Sequence, residues 1–159
     1  MRIYVRPRYW IERQNENLMP FLIRYSVISI YSSGDCSPIL SNLQTVLKLQ
    51  FDDITKPESG LILFTDGMAE KIIDFADYLI ENFPKKPLIV HCDAGVSRSG
   101  AVGSVLNDYI NMKLCREDDR KLFWKEHRNL IVPNHHVRLK LLEAWKYDHN
   151  GTKGKGAEE

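Results

Sequence analysis

The stretch Val90-His91-Cys92-Asp93-Ala94-Gly95-Val96-Ser97-Arg98-Ser99-Gly100 constrains the chain more than any other. Leu88-Ile89-Val90 leads into it as a short continuous apolar run, the pattern of a strand buried on both faces of a sheet. After it, Val102, Leu106 and Ile110 recur at helical spacing across Ser99 to Met112. The connection between strand and helix is tight, and Gly95 within it supplies either a positive φ or room for close backbone approach. A strand-to-helix loop of this kind suits a phosphate dianion. Its N–H groups can converge on a concavity, and the helix N-terminus adds partial positive charge. Arg98 offers a planar fork for two phosphate oxygens. The same field is expected to lower the pKa of Cys92 towards the thiolate, placing a nucleophile beside the anion cradle.

The rest of the chain alternates between strand and helix patterns. Arg2 to Val5 is a short β-branched and aromatic run closed by Pro7, and Tyr25 to Tyr31 alternates before stopping at Ser32-Ser33-Gly34-Asp35. Val46 to Phe51 alternates again and runs into Asp52-Asp53. Thr65 or Asp66 is placed to cap a helix carrying Met68, Ile72, Phe75 and Leu79, with Pro84 and Pro87 beyond its end. A charged segment from Cys115 to Arg128 predicts a further helix, and Val137, Leu141 and Ala144 or Trp145 mark a last one after Pro133-Asn134. These elements predict a single-domain α/β fold of three layers, with a central, largely parallel sheet flanked by helices. The chain's 159 residues allow one domain with a real core.

Composition narrows the function. Lys and Arg number 22 against 21 Asp and Glu, without the basic excess that binding nucleic acid through phosphates requires. No apolar run approaches the roughly 18 residues of a membrane span, so no membrane partner is expected. Residues 1–7 lack an apolar core and a small-residue cleavage site, so no secretory signal is expected. Cys36, Cys92 and Cys115 are too few and too scattered for a disulfide framework or CxxC metal spacing, which fits a reducing, cytoplasmic setting. From Asn150 the chain becomes a polar, Gly-rich tail, expected to be flexible over 150–159.

The His91-Cys92-x-x-Gly95-x-x-Arg98-Ser99 pattern resembles the signature of the cysteine-dependent protein tyrosine phosphatase superfamily. Low-molecular-weight tyrosine phosphatases and arsenate reductases usually carry their cysteine near the N-terminus. Here Cys92 lies past mid-chain, which resembles the compact dual-specificity and bacterial-type branch. The resemblance covers roughly residues 25–145 of a phosphatase domain spanning 1–149, and residues 1–24 match nothing in it. Tyr9-Trp10, in that unmatched segment, either packs on the sheet or shapes one wall of the pocket.

In such phosphatases a general-acid aspartate follows a strand well ahead of the cysteine. Laid against the family's apolar-x-apolar-x-Asp pattern, Leu49-Gln50-Phe51-Asp52-Asp53 puts Asp53 at the acid's position, with Asp52 the alternative. Both could instead be solvated turn carboxylates, and helix capping accounts for Asp66. Ile131-Val132-Pro133-Asn134-His135-His136-Val137 resembles the Pro-Asn-x-x-aromatic motif whose asparagine buttresses the phosphate loop, with Val137 where the aromatic stands. Asn134 is also a competent N-cap. His135 and His136 are adjacent on a helix and point apart, with no third ligand at metal spacing, so neither metal nor cofactor is implied.

The resemblance implies that Cys92 forms a cysteinyl-phosphate, Asp53 protonates the leaving oxygen, and Ser99 stabilises the leaving thiolate in the second step. The backbone of Asp93, Ala94, Gly95, Val96 and Ser97, with Arg98, binds the phosphate. His91 is expected to orient the loop through hydrogen bonds. The loop has no lysine and carries Asp93, which disfavours a polyanionic ligand and points to a phosphorylated protein or a small aryl phosphate. Phosphotyrosine and phosphoserine/threonine remain open. The alternatives are a catalytically silent phosphate-binding module of the same fold and a rhodanese-like sulfurtransferase. Low-pKa thiolates oxidise readily, but neither Cys36 nor Cys115 is expected to lie close enough to rescue Cys92 as a disulfide.

Overall fold

In the computed structural model, residues 1–16, 22–38, 40, 43 and 45–151 are described. Among the described residues four strands form one sheet: β1 (Ile3–Pro7), β2 (Ser26–Tyr31), β3 (Val46–Gln50) and β4 (Leu88–Cys92). Their spatial order is β1-β4-β2-β3, and every pairing is parallel. Helices α1 (Arg8–Glu16), α2 (Asp66–Asn82), α3 (Arg98–Lys113), α4 (Glu117–His127) and α5 (His135–Gly151) complete it, with a 3-10 turn at Leu22–Arg24.

Strand periodicity distributes these helices over two faces. Ile3, Val5, Ile28, Ile30, Leu88, Val90 and Cys92 point to a large core shared with α2, α3, α4 and α5. Val27 and Ile89 point the other way, where Ile11 of α1 and Leu40 close a smaller cluster. All five residues of β4 are buried, as its unbroken apolar run requires of a strand covered on both faces. Within α2, Ala69, Ile72, Ile73, Ala76 and Leu79 form the buried stripe. Fully burying one such Ile or Leu stabilises the fold by about 1.5–3 kcal/mol. Gly103 lets α3 approach β1, since a Cβ there would lie 2.7 Å from Val5 Cγ2. The layers are therefore helix, sheet, helices, as the sequence predicts.

The N-terminal segment departs from the sequence reading. Strand β1 extends through Pro7, which sits opposite Cys92 in the register, and α1 follows at once. No helix was expected there, because the nine residues average strongly polar and include few apolar side chains to mark a buried face. Of the aromatic pair, Trp10 packs with Tyr4 and Tyr25 on the smaller cluster, while Tyr9 is exposed. At the other end α5 runs through Gly151, and the rest of the expected tail, 152–159, lies outside the described residues. Among the described residues no helix is long and apolar enough to cross a membrane.

Candidate active site

Parallel strands deliver their C-terminal ends to one edge of the sheet, where α/β folds place ligands. Cys92 ends β4, Ser32 follows β2, Asp52 and Asp53 follow β3, and Arg8 follows β1. The 93–97 loop then turns into α3 at Arg98. Gly95 has φ +70, and a Cβ on it would meet Pro7 N at 2.4 Å and the Arg6 carbonyl carbon at 2.6 Å. The glycine thus serves both purposes the sequence left open, a left-handed turn and close approach to β1. Three loop carbonyls are held from outside: Asp93 O accepts from Arg8 N (3.1 Å), Val96 O from Val132 N (3.2 Å) and Ser97 O from Asn134 N (3.2 Å). Carbonyls turned to the scaffold leave amides free to face the opposite side, the arrangement of an anion nest.

Cys92 is buried, and its Sγ lies 3.1 Å from Ser99 Oγ in the first turn of α3. Arg98 is 5% exposed and points back across the sheet edge. Its Nη1 donates to Phe51 O at 2.8 Å and to Ser32 Oγ at 2.9 Å, and its Nη2 donates to Asp93 Oδ2. Its Nε is buried without a hydrogen-bond partner among the described residues. Ser32 Oγ in turn donates to Asp93 Oδ2 at 2.9 Å. Burial would raise the Asp93 pKa, but hydrogen bonds from Arg98 and Ser32, and the charges of Arg98 and Arg8, hold it below the usual carboxylate range.

The two candidate acids separate clearly. Asp52 is buried and accepts from Ser33 N (3.0 Å) and Ile62 N (2.7 Å), tying the 52–62 loop to the end of β2. Burial pushes its carboxyl up, yet the Ile62 and Ser33 hydrogen bonds and the Arg98 charge bring it below its ordinary value. Asp53 is exposed and faces the 93–97 loop, where Oδ1 accepts from Ser97 Oγ (2.8 Å) and Asn134 Nδ2 (2.7 Å). Asn134 Oδ1 also caps α5 by accepting from Val137 N at 3.1 Å. The side chain therefore caps α5 and holds the loop after β3, while the 93–97 loop is reached by the Asn134 backbone N–H. Asp66 sits in the first turn of α2 and pairs with Lys140 at 2.7 Å, while the cap itself is Thr65.

His91 corrects one expectation. Among the described residues neither ring nitrogen has a hydrogen-bond partner, so the ring does not orient the loop through hydrogen bonds to them. Strand parity turns its side chain away from the Cys92 face, and burial lowers its pKa to about 4. Sequence reasoning also missed Ser32, the Phe51 carbonyl and Arg8, which only the parallel register brings to Arg98 and Asp93. His136 Nε2 donates to Phe64 O, and among the described residues no three His, Cys, Asp or Glu side chains gather as metal ligands. All three cysteines are free thiols, Cys36 and Cys115 exposed.

In sequence the chain matches no family model and no curated protein. In structure it is similar to human DUSP28, at 12% identity and a TM-score of 0.59, covering 94% of each chain. It is similar to DUSP15, at 17% identity and a TM-score of 0.59, covering 99% of this chain and 94% of that one. A third similar structure is the human tyrosine phosphatase-like serine/threonine/tyrosine-interacting protein, at 19% identity and a TM-score of 0.53 over 86% of each chain. An all-parallel sheet with helices on both faces, read beside these neighbours, gives the chain the fold of the compact dual-specificity and tyrosine phosphatases.

Proposed function

We propose that this protein is a phosphatase that hydrolyses phosphate monoesters through a cysteinyl-phosphate, acting on phosphorylated proteins or small aryl phosphates. The observation that supports this most is the convergence on one sheet edge of Cys92 Sγ, 3.1 Å from Ser99 Oγ, and a buried Arg98 anchored to Phe51 O and Ser32. In the first step Cys92 thiolate attacks phosphorus, an S–P bond forms, and the P–O bond to the leaving alcohol or phenol breaks. Asp53 gives its proton to that oxygen. Loop amides and Arg98 hold the equatorial oxygens, where transition-state charge is spread. In the second step Asp53, now a carboxylate, takes a proton from water as its oxygen bonds to phosphorus. The S–P bond breaks, inorganic phosphate departs, and Ser99 Oγ donates to the returning thiolate.

A second reading is a phosphate-binding module without turnover. Its support is the Asp93–Arg98 ion pair, which places a carboxylate on the guanidinium that a substrate would need. The two part in one assay: p-nitrophenyl phosphate hydrolysis from pH 5 to 8 with a chelator present, comparing the protein with Cys92→Ser. Turnover that survives the chelator and vanishes in the variant supports the enzyme. Absent turnover in folded protein, with vanadate still raising its melting temperature, supports the module. Sulfur transfer from thiosulfate to cyanide without phosphate ester hydrolysis would overturn both.

A further inference from the structure

The guanidinium of Arg98 uses its edges unequally. Nη1 is committed to the scaffold, through Ser32 Oγ and Phe51 O. Nε and Nη2 form the edge that can grip two oxygens of one oxyanion. On that edge Nη2 donates to a single carboxylate oxygen, Asp93 Oδ2, and the buried Nε has no partner among the described residues. Ser32 closes the ring by accepting from Arg98 and donating to Asp93. The other Asp93 oxygen lies 4.0 Å from Arg8 Nη1, and the Arg8 amide holds the Asp93 carbonyl at 3.1 Å. Arg8 is itself steadied by Glu12 at 2.7 Å and the Cys36 carbonyl at 2.9 Å. Asp93 therefore stands between two guanidiniums, one buried and one at the rim, with 37% of its side chain exposed.

We propose that Asp93 is a specificity residue that occupies half of the Arg98 oxyanion edge and yields it to the substrate's phosphate, swinging towards Arg8. The proposal rests on the phosphatase reading of the site. A buried guanidinium without a counter-charge is costly, so Asp93 holds Arg98 in its productive orientation. A phosphate dianion on Nε and Nη2 cannot share Nη2 with a carboxylate, because two anions would meet at hydrogen-bond distance. The carboxylate must leave, and affinity for every phosphate ligand falls by what that exchange costs. Once at the rim, its charge repels a second anionic group beside the loop, which favours ligands with one isolated phosphate.

Calorimetric titration of the full chain with inorganic phosphate tests this without turnover, in the parent, Asp93→Asn and Asp93→Ala. Both variants are expected to bind phosphate about fivefold more tightly, the worth of one partly exposed ion pair. Both are also expected to melt lower than the parent without phosphate and to gain more on adding it. A residue that merely supports the loop would weaken binding when removed. Arg8→Gln is expected to weaken binding more in the parent than beside Asp93→Ala, since only the parent has a carboxylate to receive. Equal or weaker binding by both Asp93 variants overturns the role of Asp93 and leaves the phosphate site standing. Absence of binding by the parent and both variants overturns the phosphate site and this proposal with it.

Discussion

Asn134 Nδ2 donates to Asp53 Oδ1 at 2.7 Å, joining the start of α5 to the loop after β3 across 81 positions of sequence. The same asparagine donates its backbone N–H to Ser97 O and caps α5 through Oδ1. One residue thereby ties the candidate acid, the phosphate loop and a helix N-terminus into one unit.

Replacing Asn134 separates these roles. Asn134→Ala is expected to destabilise the fold by about 1–2 kcal/mol through the lost cap, and to lower kcat by releasing Asp53. Asn134→Asp keeps a capping oxygen but sets a carboxylate against Asp53, so its stability at neutral pH should stay nearer the parent while kcat falls at least as far. Urea titration and steady-state kinetics on the two variants distinguish the effects. Equal kcat in parent and both variants would sever Asn134 from catalysis.

The two neighbouring aspartates should fail in different ways. Asp53→Asn removes a proton donor, which for phenyl phosphate is expected to cost about a hundredfold in kcat. The loss should shrink for p-nitrophenyl phosphate, whose leaving group needs less protonation. Asp52→Ala orphans the Ser33 and Ile62 amides, a loss of about 2–4 kcal/mol in stability. Because Asp52 is held below its unfolded pKa, its contribution is present above about pH 4 and disappears as pH falls through the folded value. Acid denaturation curves of Asp52→Asn should therefore be flatter below pH 4. A hundredfold kcat loss in Asp52→Asn, with Asp53→Asn unchanged, would reverse the assignment.

How far the sequence reaches depends on whether an interaction is local. Strand β4, the 93–97 loop and α3 are contiguous, so the apolar run, Gly95 and the helical spacing of Val102, Leu106 and Ile110 describe them completely. Asn134 was legible as an N-cap from its Pro-Asn context ahead of the last helix. The partners of Arg98 were not, because Ser32 and the Phe51 carbonyl reach it only through the β1-β4-β2-β3 order. A serine after a strand and a backbone carbonyl carry no signal of their own. Helix α1 was missed for a related reason: Ile11 is its one fully buried apolar anchor, and it meets Val27 and Ile89 from distant strands.

Buried His91 gives the fold an acid-sensitive point of its own. Its folded pKa of about 4 lies below the ordinary 6.5 because burial disfavours the charged ring. Between those values the unfolded chain binds the proton and the folded chain does not, so stability rises with pH across the window and is lost on acidification. From pH 7 to 4 the loss approaches about 3 kcal/mol. His91→Asn cannot titrate there, and its urea midpoint should fall much less than the parent's between pH 6.5 and 4.5. Parallel falls in the two proteins would show that another group carries the acid sensitivity.

Gly95 concentrates the geometry of the loop in one missing side chain. A Cβ there would sit 2.4 Å from Pro7 N and 2.9 Å from Arg6 O, both backbone atoms of β1 that cannot rotate aside. The positive φ adds about 1–2 kcal/mol for any L side chain. Relief requires the loop to lift from β1, which pulls the Asp93 carbonyl from the Arg8 amide and moves the loop amides proposed to hold phosphate. Gly95→Ala is therefore expected to cost about 3 kcal/mol or more in stability, within the range of severe single substitutions. It should also abolish phosphate binding in whatever fraction remains folded. Thermal unfolding of the variant with and without inorganic phosphate reads both effects, and a phosphate-induced rise equal to the parent's would mean the loop tolerates lifting and the β1 contact does not shape the site.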